Sequence, residues 1–178
     1  EGMNPVPHLA ARSLNDRFQL DELLKAFVSR ASVDEVLVIA GGREPIGSFS
    51  DSMAILETGL LQKHGIKKVG VAGHPEGSPD INDLALSEAL LDKNNFAITE
   101  GLSMYIVTQF CFDADTVLKW ERQIRIKGNK LPIRIGVPGP ATIKTLFRFA
   151  KLVGIGNSMK FLTKQARNVS KLLTIQSP

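Results

Sequence analysis

The sequence predicts an α/β protein of the (β/α)8 TIM-barrel type, present as an incomplete barrel of about five strand–helix units. Val- and Ile-rich runs recur at spacings of roughly 28 to 37 residues, the length of one such unit. Helical patterns lie between the runs, and a polar cluster follows each run. The runs are almost continuously apolar, as in parallel strands that are covered on both faces. No run leads into G-x-G-x-x-G or G-x-x-x-x-G-K-[ST], which disfavours an open nucleotide-binding sheet.

The elements follow one another in strict alternation. Strands are predicted at 6–9, 35–40, 67–72, 104–110 and 132–137. Apolar residues at helical spacing predict helices at 15–30, 51–64, 81–91, 114–127 and 142–153. Gly65, Gly128 and Gly154 follow helical patterns, as C′ caps do, and Ser50 or Asp51 is expected to cap the second helix.

Residues 1–178 are predicted to form a single, partial barrel domain, because no linker or low-complexity tract divides them. A complete barrel takes about 250 residues. We therefore expect missing segments, a complementing chain or a second copy to cover the exposed sheet edges. Met3 follows two other residues, which indicates that an N-terminal part of a longer chain is absent.

Composition excludes several classes of function. The chain is 43% hydrophobic and 22% charged with a net charge of +4, and it has no apolar run of the roughly 20 residues that a membrane span needs. Aromatic residues are few and do not interleave with the basic ones, so no nucleic-acid surface is expected. The basic residues near the end (Lys160, Lys164, Arg167, Lys171) are interpreted as a solvated helix face.

The single cysteine, Cys111, rules out an internal disulfide framework and is interpreted as a small buried hydrophobe. A cytoplasmic location fits this cysteine usage. His8, His64 and His74 have no metal-ligand spacing, so no metal site is predicted.

Two candidate cofactor contacts come from the first half of the chain. His8 is expected at a strand end, where its imidazole would reach a ligand, although a surface role is the simpler reading. Gly41, Gly42 and Arg43 follow the second strand. Glycine amides and a guanidinium suit a phosphate, while a tight turn is the alternative.

Three further candidates follow the third and fourth strands. His74 and Glu76 lie in a loop stiffened by prolines, and they suit proton transfer or a hydroxyl contact. Gln109 ends a strand, and its amide suits the edge of a heterocycle. Asp113 and Asp115 precede a helix, and one of the two is interpreted as its N-cap. Phe149 lies on an apolar helix face and by default belongs to a core.

Five segments together resemble the methylenetetrahydrofolate reductase family. They are PHLAAR (7–12), the Gly-Gly loop, VGVAGHPEGSP (69–79), TQFCFDAD (108–115) and RIGVPGPA (134–141). The resemblance implies a (β/α)8 barrel that reduces 5,10-methylenetetrahydrofolate with a nicotinamide donor, usually through FAD. It assigns Gln109 to the pterin and Phe149 to the folate or nicotinamide site. The resemblance also implies that His8, the 41–43 loop, the 48–49 region and His74 contact flavin.

Departures from the family pattern favour its flavin-independent branch. This chain has Gly42-Arg43 where Gly-Asp is usual, His74 where tyrosine is usual and Ser78 where histidine is usual. The family's flavin-phosphate lysine is missing near 97–98. The family's catalytic glutamate belongs to a first strand that is absent from this sequence, so no catalytic residue is assigned.

The predicted activity is therefore hydride transfer from NAD(P)H to methylenetetrahydrofolate, with a positive rim at Arg12 or Arg43 gathering the anionic substrate. Two alternatives stay open at this point. One is a folate-dependent methyltransferase without a redox step, and the other is a non-catalytic module built on a degenerate barrel.

Overall fold

The computed structural model describes residues 2–137, 142–152 and 163. Its strands are β1 (His8–Ala10), β2 (Glu35–Ile39), β3 (Lys68–Gly73), β4 (Ser103–Phe110) and β5 (Ile133–Gly136). A 3-10 turn, Ala11–Ser13, follows β1. The helices are α1 (Arg17–Ala31), α2 (Ser52–Leu56), α3 (Leu60–Lys63), α4 (Asp83–Glu100), α5 (Ala114–Ile126) and α6 (Ile143–Leu152). Residues 138–141 of the last motif, Gly154 and the basic residues near the end lie outside the described residues.

The five strands form one sheet in the order β1-β2-β3-β4-β5. β1 and β2 are parallel, with His8 opposite Leu37 and Ala10 opposite Ile39. β2 and β3 are also parallel. A sheet in which sequential strands are neighbours, with helices between them along the chain, is the arrangement of (β/α)8 proteins. The predicted fold class is confirmed.

Within the described residues the chain divides into two compact units. Unit 1 comprises residues up to 72, together with 93–107 and 131–133. Unit 2 comprises 73–92, 108–130 and the described residues from 134 onward. The single-domain assignment for 1–178 stays a prediction.

The core of unit 1 uses both faces of its strands. One face of β2 and β3 is fully buried, as are two leucines of α1 (Val36, Val38, Val69, Val71, Leu20, Leu24). On the other face, a Cβ at Gly70 would lie 2.9 Å from both Leu37 Cδ1 and Tyr105 Cζ. Glycine is therefore required there by close packing between strands.

Two helix predictions were wrong in extent. The predicted helix 51–64 is two short helices, because the Thr58 hydroxyl donates to the Ile55 carbonyl at 2.7 Å and accepts from the Leu60 amide. Gly59 then adopts a φ of +69°. The predicted helix 81–91 continues to Glu100, because tertiary burial outweighs the low helix propensity of residues such as Asn94.

The helix ends otherwise follow the predicted chemistry. The Asp51 side chain accepts from the Ala54 amide at 3.1 Å, so Asp51 is the N-cap of α2. Gly65 and Gly128 have positive φ, as predicted for C′ residues. No helix among the described residues is long and apolar enough to cross a membrane.

A polar cluster joins α1 to α3 and the residue after it in unit 1. Asp21 Oδ1 lies 2.9 Å from Lys63 Nζ and 2.7 Å from His64 Nε2. These hydrogen bonds, first from Lys63 and then from His64, lower the pKa of Asp21. The cluster gives His64 a structural partner, consistent with its position at a helix end.

Candidate functional site

The loop that follows β3 in unit 2 holds two of the predicted site residues in a tight turn. The Gly77 amide donates to the His74 carbonyl at 3.0 Å, and Gly77 has a φ of +79°. Pro75 fixes the backbone between them. His74 and Glu76 are partly buried. The loop therefore presents an imidazole and a carboxylate from a constrained backbone.

Cys111 links this loop to the end of β4. Its Sγ donates to Glu76 Oε1 at 3.1 Å and also lies 3.4 Å from the Asp113 carbonyl oxygen. The side chain is partly exposed. The interpretation of Cys111 as a buried hydrophobe was wrong, because the residue follows the strand and faces a carboxylate.

Gln109, next to the end of β4, has a buried side-chain acceptor. Its Oε1 is buried and has no hydrogen-bond partner among the residues that the structure describes. An unpaired buried acceptor costs about 1–3 kcal/mol, so native proteins rarely retain one without a reason. A ligand that donates a hydrogen bond to this amide would remove the cost.

Asp113, one of the two predicted candidates, is the N-cap of α5. Its carboxylate accepts from the Thr116 hydroxyl at 2.6 Å and from the Asp115 amide at 3.1 Å. The hydrogen bond from Thr116 is the main cause that lowers the pKa of Asp113. The Asp113 carboxylate therefore stays ionised, and it stabilises the N-terminus of α5.

A cavity of about 700 Å³ lies within unit 2. Its walls are the 74–77 loop, the first turns of α4 and the second half of α5. Trp120 and Leu90 provide apolar surface, while Glu76 and Asp83 provide carboxylates. Lys127, at the far end, donates to the Ser87 hydroxyl at 2.8 Å. His74 and Glu76 thus border an open space large enough for a small organic molecule.

The loop after β2 in unit 1 is organised by Arg12. The Arg12 amide donates to the Ala40 carbonyl at 2.9 Å, and its Nε donates to the Ser50 carbonyl at 2.8 Å. Its Nη1 lies 3.5 Å from the Gly41 carbonyl. Arg12 therefore holds both ends of the loop, a role that was missed when the residue was assigned to a positive rim.

The 41–43 loop offers a site for a phosphate. Gly41 needs to be glycine because its φ is +93°. Gly42 has open space around it, and the Arg43 side chain is exposed. An exposed glycine next to an exposed guanidinium suits the phosphates of NAD(P)H and of FAD alike. Phe49 is 5% exposed, so its side chain belongs to the core and is not available to a flavin.

His8 lies at the amino end of β1 and not at its carboxyl end. β1 begins at His8 and continues to Ala10, since Leu9 and Ala10 still pair with β2. The strand predicted at 6–9 therefore begins two residues later and ends one residue later than expected. Its side chain is exposed and, by alternation, lies on the face opposite buried Leu9. A cofactor contact by His8 stays a prediction.

Phe149 lies within α6, at a position whose side chain is outside the described part of the structure. Its assignment to the folate or nicotinamide site stays a prediction. Among the described residues, no group of three or more His, Cys, Asp and Glu side chains is arranged to hold a metal ion.

Comparison with known proteins decides the family. The model of the family described as methylenetetrahydrofolate reductase matches residues 58–167, more than half of the chain. The chain belongs to the methylenetetrahydrofolate reductase family. The matched range includes the 74–77 loop, β4 with Gln109, and Cys111.

One curated relative supports the same assignment. Methylenetetrahydrofolate reductase 1 of Schizosaccharomyces pombe is 34% identical over 95 residues, which are 53% of this chain. The aligned region covers 15% of that relative's length. This family has the (β/α)8 barrel fold, in agreement with the parallel sheet described above.

Proposed function

We propose that the protein containing this chain reduces 5,10-methylenetetrahydrofolate to 5-methyltetrahydrofolate with NAD(P)H. The observation that carries the proposal is the buried, unpartnered Oε1 of Gln109, which lies inside the range matched by the family model. The resemblance assigns this glutamine to the pterin. The name of the Schizosaccharomyces pombe relative supports the same activity.

Gln109 is proposed to bind the pterin through its side-chain amide. A pterin has ring N–H and amino groups that donate hydrogen bonds, and the Gln109 Oε1 lacks a donor among the described residues. Binding would satisfy a buried acceptor and fix the orientation of the ring. Orientation of the acceptor carbon toward a hydride donor contributes several kcal/mol to such reactions.

The nicotinamide donor is proposed to use the 41–43 loop for a phosphate. Support comes from the open space at Gly42 and from exposed Arg43. FAD, which the family usually binds, would supply a relay between donor and folate. The substitutions at Arg43, His74 and Ser78 favour direct transfer instead, so we assign the hydride step to NAD(P)H itself.

The step balances without another oxidant or reductant. A proton from solvent adds to N10 of the folate as the bond between N10 and the bridging methylene breaks, which leaves an iminium at N5. A hydride, with its electron pair, then leaves C4 of the dihydronicotinamide and bonds to the methylene carbon of this iminium, and the π electrons of the C=N bond become a lone pair on N5. The nicotinamide is oxidised to NAD(P)⁺, and the methylene carbon is reduced to a methyl group. The amide of Gln109 and the phosphate contacts of the 41–43 loop bind and orient, and neither group reacts.

The test is NAD(P)H oxidation by the full-length protein under anaerobic conditions, with and without methylenetetrahydrofolate. We expect oxidation that depends on the folate and yields 5-methyltetrahydrofolate in equal amount, from a preparation without flavin absorbance near about 450 nm. Methyl transfer without NAD(P)H oxidation would favour the methyltransferase alternative. Absence of both reactions would favour the non-catalytic module.

The predicted cytoplasmic location and the closing of the barrel by another segment, chain or copy stay predictions. Each concerns the whole protein, and the chain spans only a small part of its curated relative's length.

A further inference from the structure

A thiol and a carboxylate meet at the junction of two segments of unit 2. Cys111, directly after β4, donates from Sγ to Oε1 of Glu76, in the loop after β3, at 3.1 Å. The two residues are separated by 35 positions in sequence. Because Cys111 and Glu76 lie in different segments of the chain, their hydrogen bond holds one segment against the other.

The contact restrains a loop that is already stiff. The Gly77 amide bonds to the His74 carbonyl, and Pro75 limits the backbone between them. These local restraints set the shape of the loop, but they do not set its position relative to β4. The hydrogen bond from Cys111 supplies that second restraint, and it acts on the carboxylate of Glu76 itself.

The neighbouring Gln109 indicates that this face of the strand receives a ligand. Gln109 is the next-to-last residue of β4, and Cys111 follows the strand. The rings of Phe110 and Phe112 contact each other edge to face with centroids 6.0 Å apart, as side chains two positions apart do in an extended chain, so the chain stays extended past β4 and Gln109 and Cys111 share the opposite side. The Gln109 Oε1 is buried without a partner among the described residues, which calls for a donor from a bound molecule. The thiol–carboxylate contact therefore lies next to the amide that we assign to the pterin.

We propose that Cys111 is a positioning residue that holds the Glu76 carboxylate at the end of β4, beside the amide of Gln109. Held there, Glu76 is a second acceptor for the N–H groups of the pterin ring. This inference rests on the proposed function, because it concerns the same folate. It assigns roles to two residues whose types alone gave no indication of acting together.

The contact itself is tested by the rate of alkylation of Cys111 with iodoacetamide at fixed pH, followed by mass spectrometry of its peptide. A carboxylate beside a thiol disfavours the reactive thiolate. Glu76→Gln should therefore speed labelling about three- to tenfold. Glu88→Gln is the matched control, since Glu88 is an exposed glutamate on α4 of the same unit, and it should leave the rate unchanged. Equal rates in wild type and Glu76→Gln would overturn the contact.

The positioning role is tested by kinetics with methylenetetrahydrofolate. Cys111→Ala removes the donor and should raise KM about three- to tenfold with little change in kcat, whereas Cys111→Ser keeps a hydroxyl donor and should restore most of the affinity. In a Glu76→Gln background, Cys111→Ala should add no further loss. A purely structural role would affect the Ala and Ser variants alike, and that result would overturn the proposal.

The two assays separate the possible failures. Absence of folate turnover in wild type would defeat the proposed function, and the positioning role would fall with it. The labelling comparison needs no substrate, so it still decides whether Glu76 faces Cys111. Normal turnover with no difference between Cys111→Ala and Cys111→Ser would leave the proposed function standing and remove the positioning role alone.

Discussion

Replacing Gln109 with leucine should separate ligand binding from stability. Leucine is close to glutamine in size but has no polar atoms, so Gln109→Leu removes the buried Oε1 that lacks a partner among the described residues. Most substitutions near a strand end destabilise a protein. This one should weaken folate binding and leave the fold as stable as before, or more so.

The magnitudes follow from the state of that one atom. An unsatisfied buried acceptor costs about 1–3 kcal/mol, and the Gln109 side chain is only partly buried as a whole. We therefore expect the free energy of unfolding to stay the same or to rise by about 1–2 kcal/mol. Loss of the hydrogen bonds to the pterin should cost about 1–3 kcal/mol of binding, which is about a 5- to 150-fold increase in Kd.

The assay is equilibrium binding of 5-methyltetrahydrofolate, combined with thermal unfolding of the same samples without ligand. Gln62→Leu is the control, because Gln62 is exposed on α3 and its amide is free to bond to water. It should change neither quantity appreciably. A Gln109→Leu variant that unfolds at a lower temperature but binds folate as tightly as wild type would refute the reasoning. The Gln109 amide would then stabilise the folded protein and would not bind the ligand.

Two further predictions concern unit 1. Gly47→Ala should lower the free energy of unfolding by about 2–3 kcal/mol, because the new Cβ would overlap the backbone of Asn15. Gly42→Ala is the control, since a Cβ at Gly42 would meet no atom within 4 Å, and it should change the free energy of unfolding by less than about 0.5 kcal/mol. Both values are measured by chemical denaturation. Equal effects would contradict this packing. Asp21→Asn should lower the thermal midpoint at neutral pH, since a lowered pKa makes the ionised carboxylate stabilising above the ordinary aspartate value of about 3.9. That difference should shrink as acidification protonates the carboxylate, and a difference that does not change with pH would contradict the role of Lys63.

The sequence was sufficient to predict β2 to β4, because nearly continuous apolar runs leave few alternatives in strands that are buried on both faces. It also predicted β5, whose residues are partly or largely exposed. The ends of the helices were harder to predict from the sequence. The break before α3 depends on a Thr58 hydroxyl that competes for backbone groups. The continuation of α4 depends on burial of residues such as Asn94, which is a tertiary effect that local propensity opposes.

The candidate site was predictable at the level of segments and less so at the level of atoms. Gln109 and Glu76 stood out because polar residues follow apolar strands. The partnership of Glu76 with Cys111 was not predictable, because it joins residues 35 positions apart and because a lone cysteine is usually a packing residue. Arg12 was placed at a rim because of its charge, yet its donors bind the carbonyls of Ser50 and Gly41.

The most direct test of the proposed hydride transfer is the fate of a labelled hydrogen. Full-length protein would be supplied with methylenetetrahydrofolate and NAD(P)H carrying deuterium at both C4 positions, and the product would be analysed by mass spectrometry. Direct transfer predicts one deuterium, fully retained, in the methyl group of 5-methyltetrahydrofolate. Formation of no 5-methyltetrahydrofolate, or of a product whose methyl group carries hydrogen from the solvent, would contradict it.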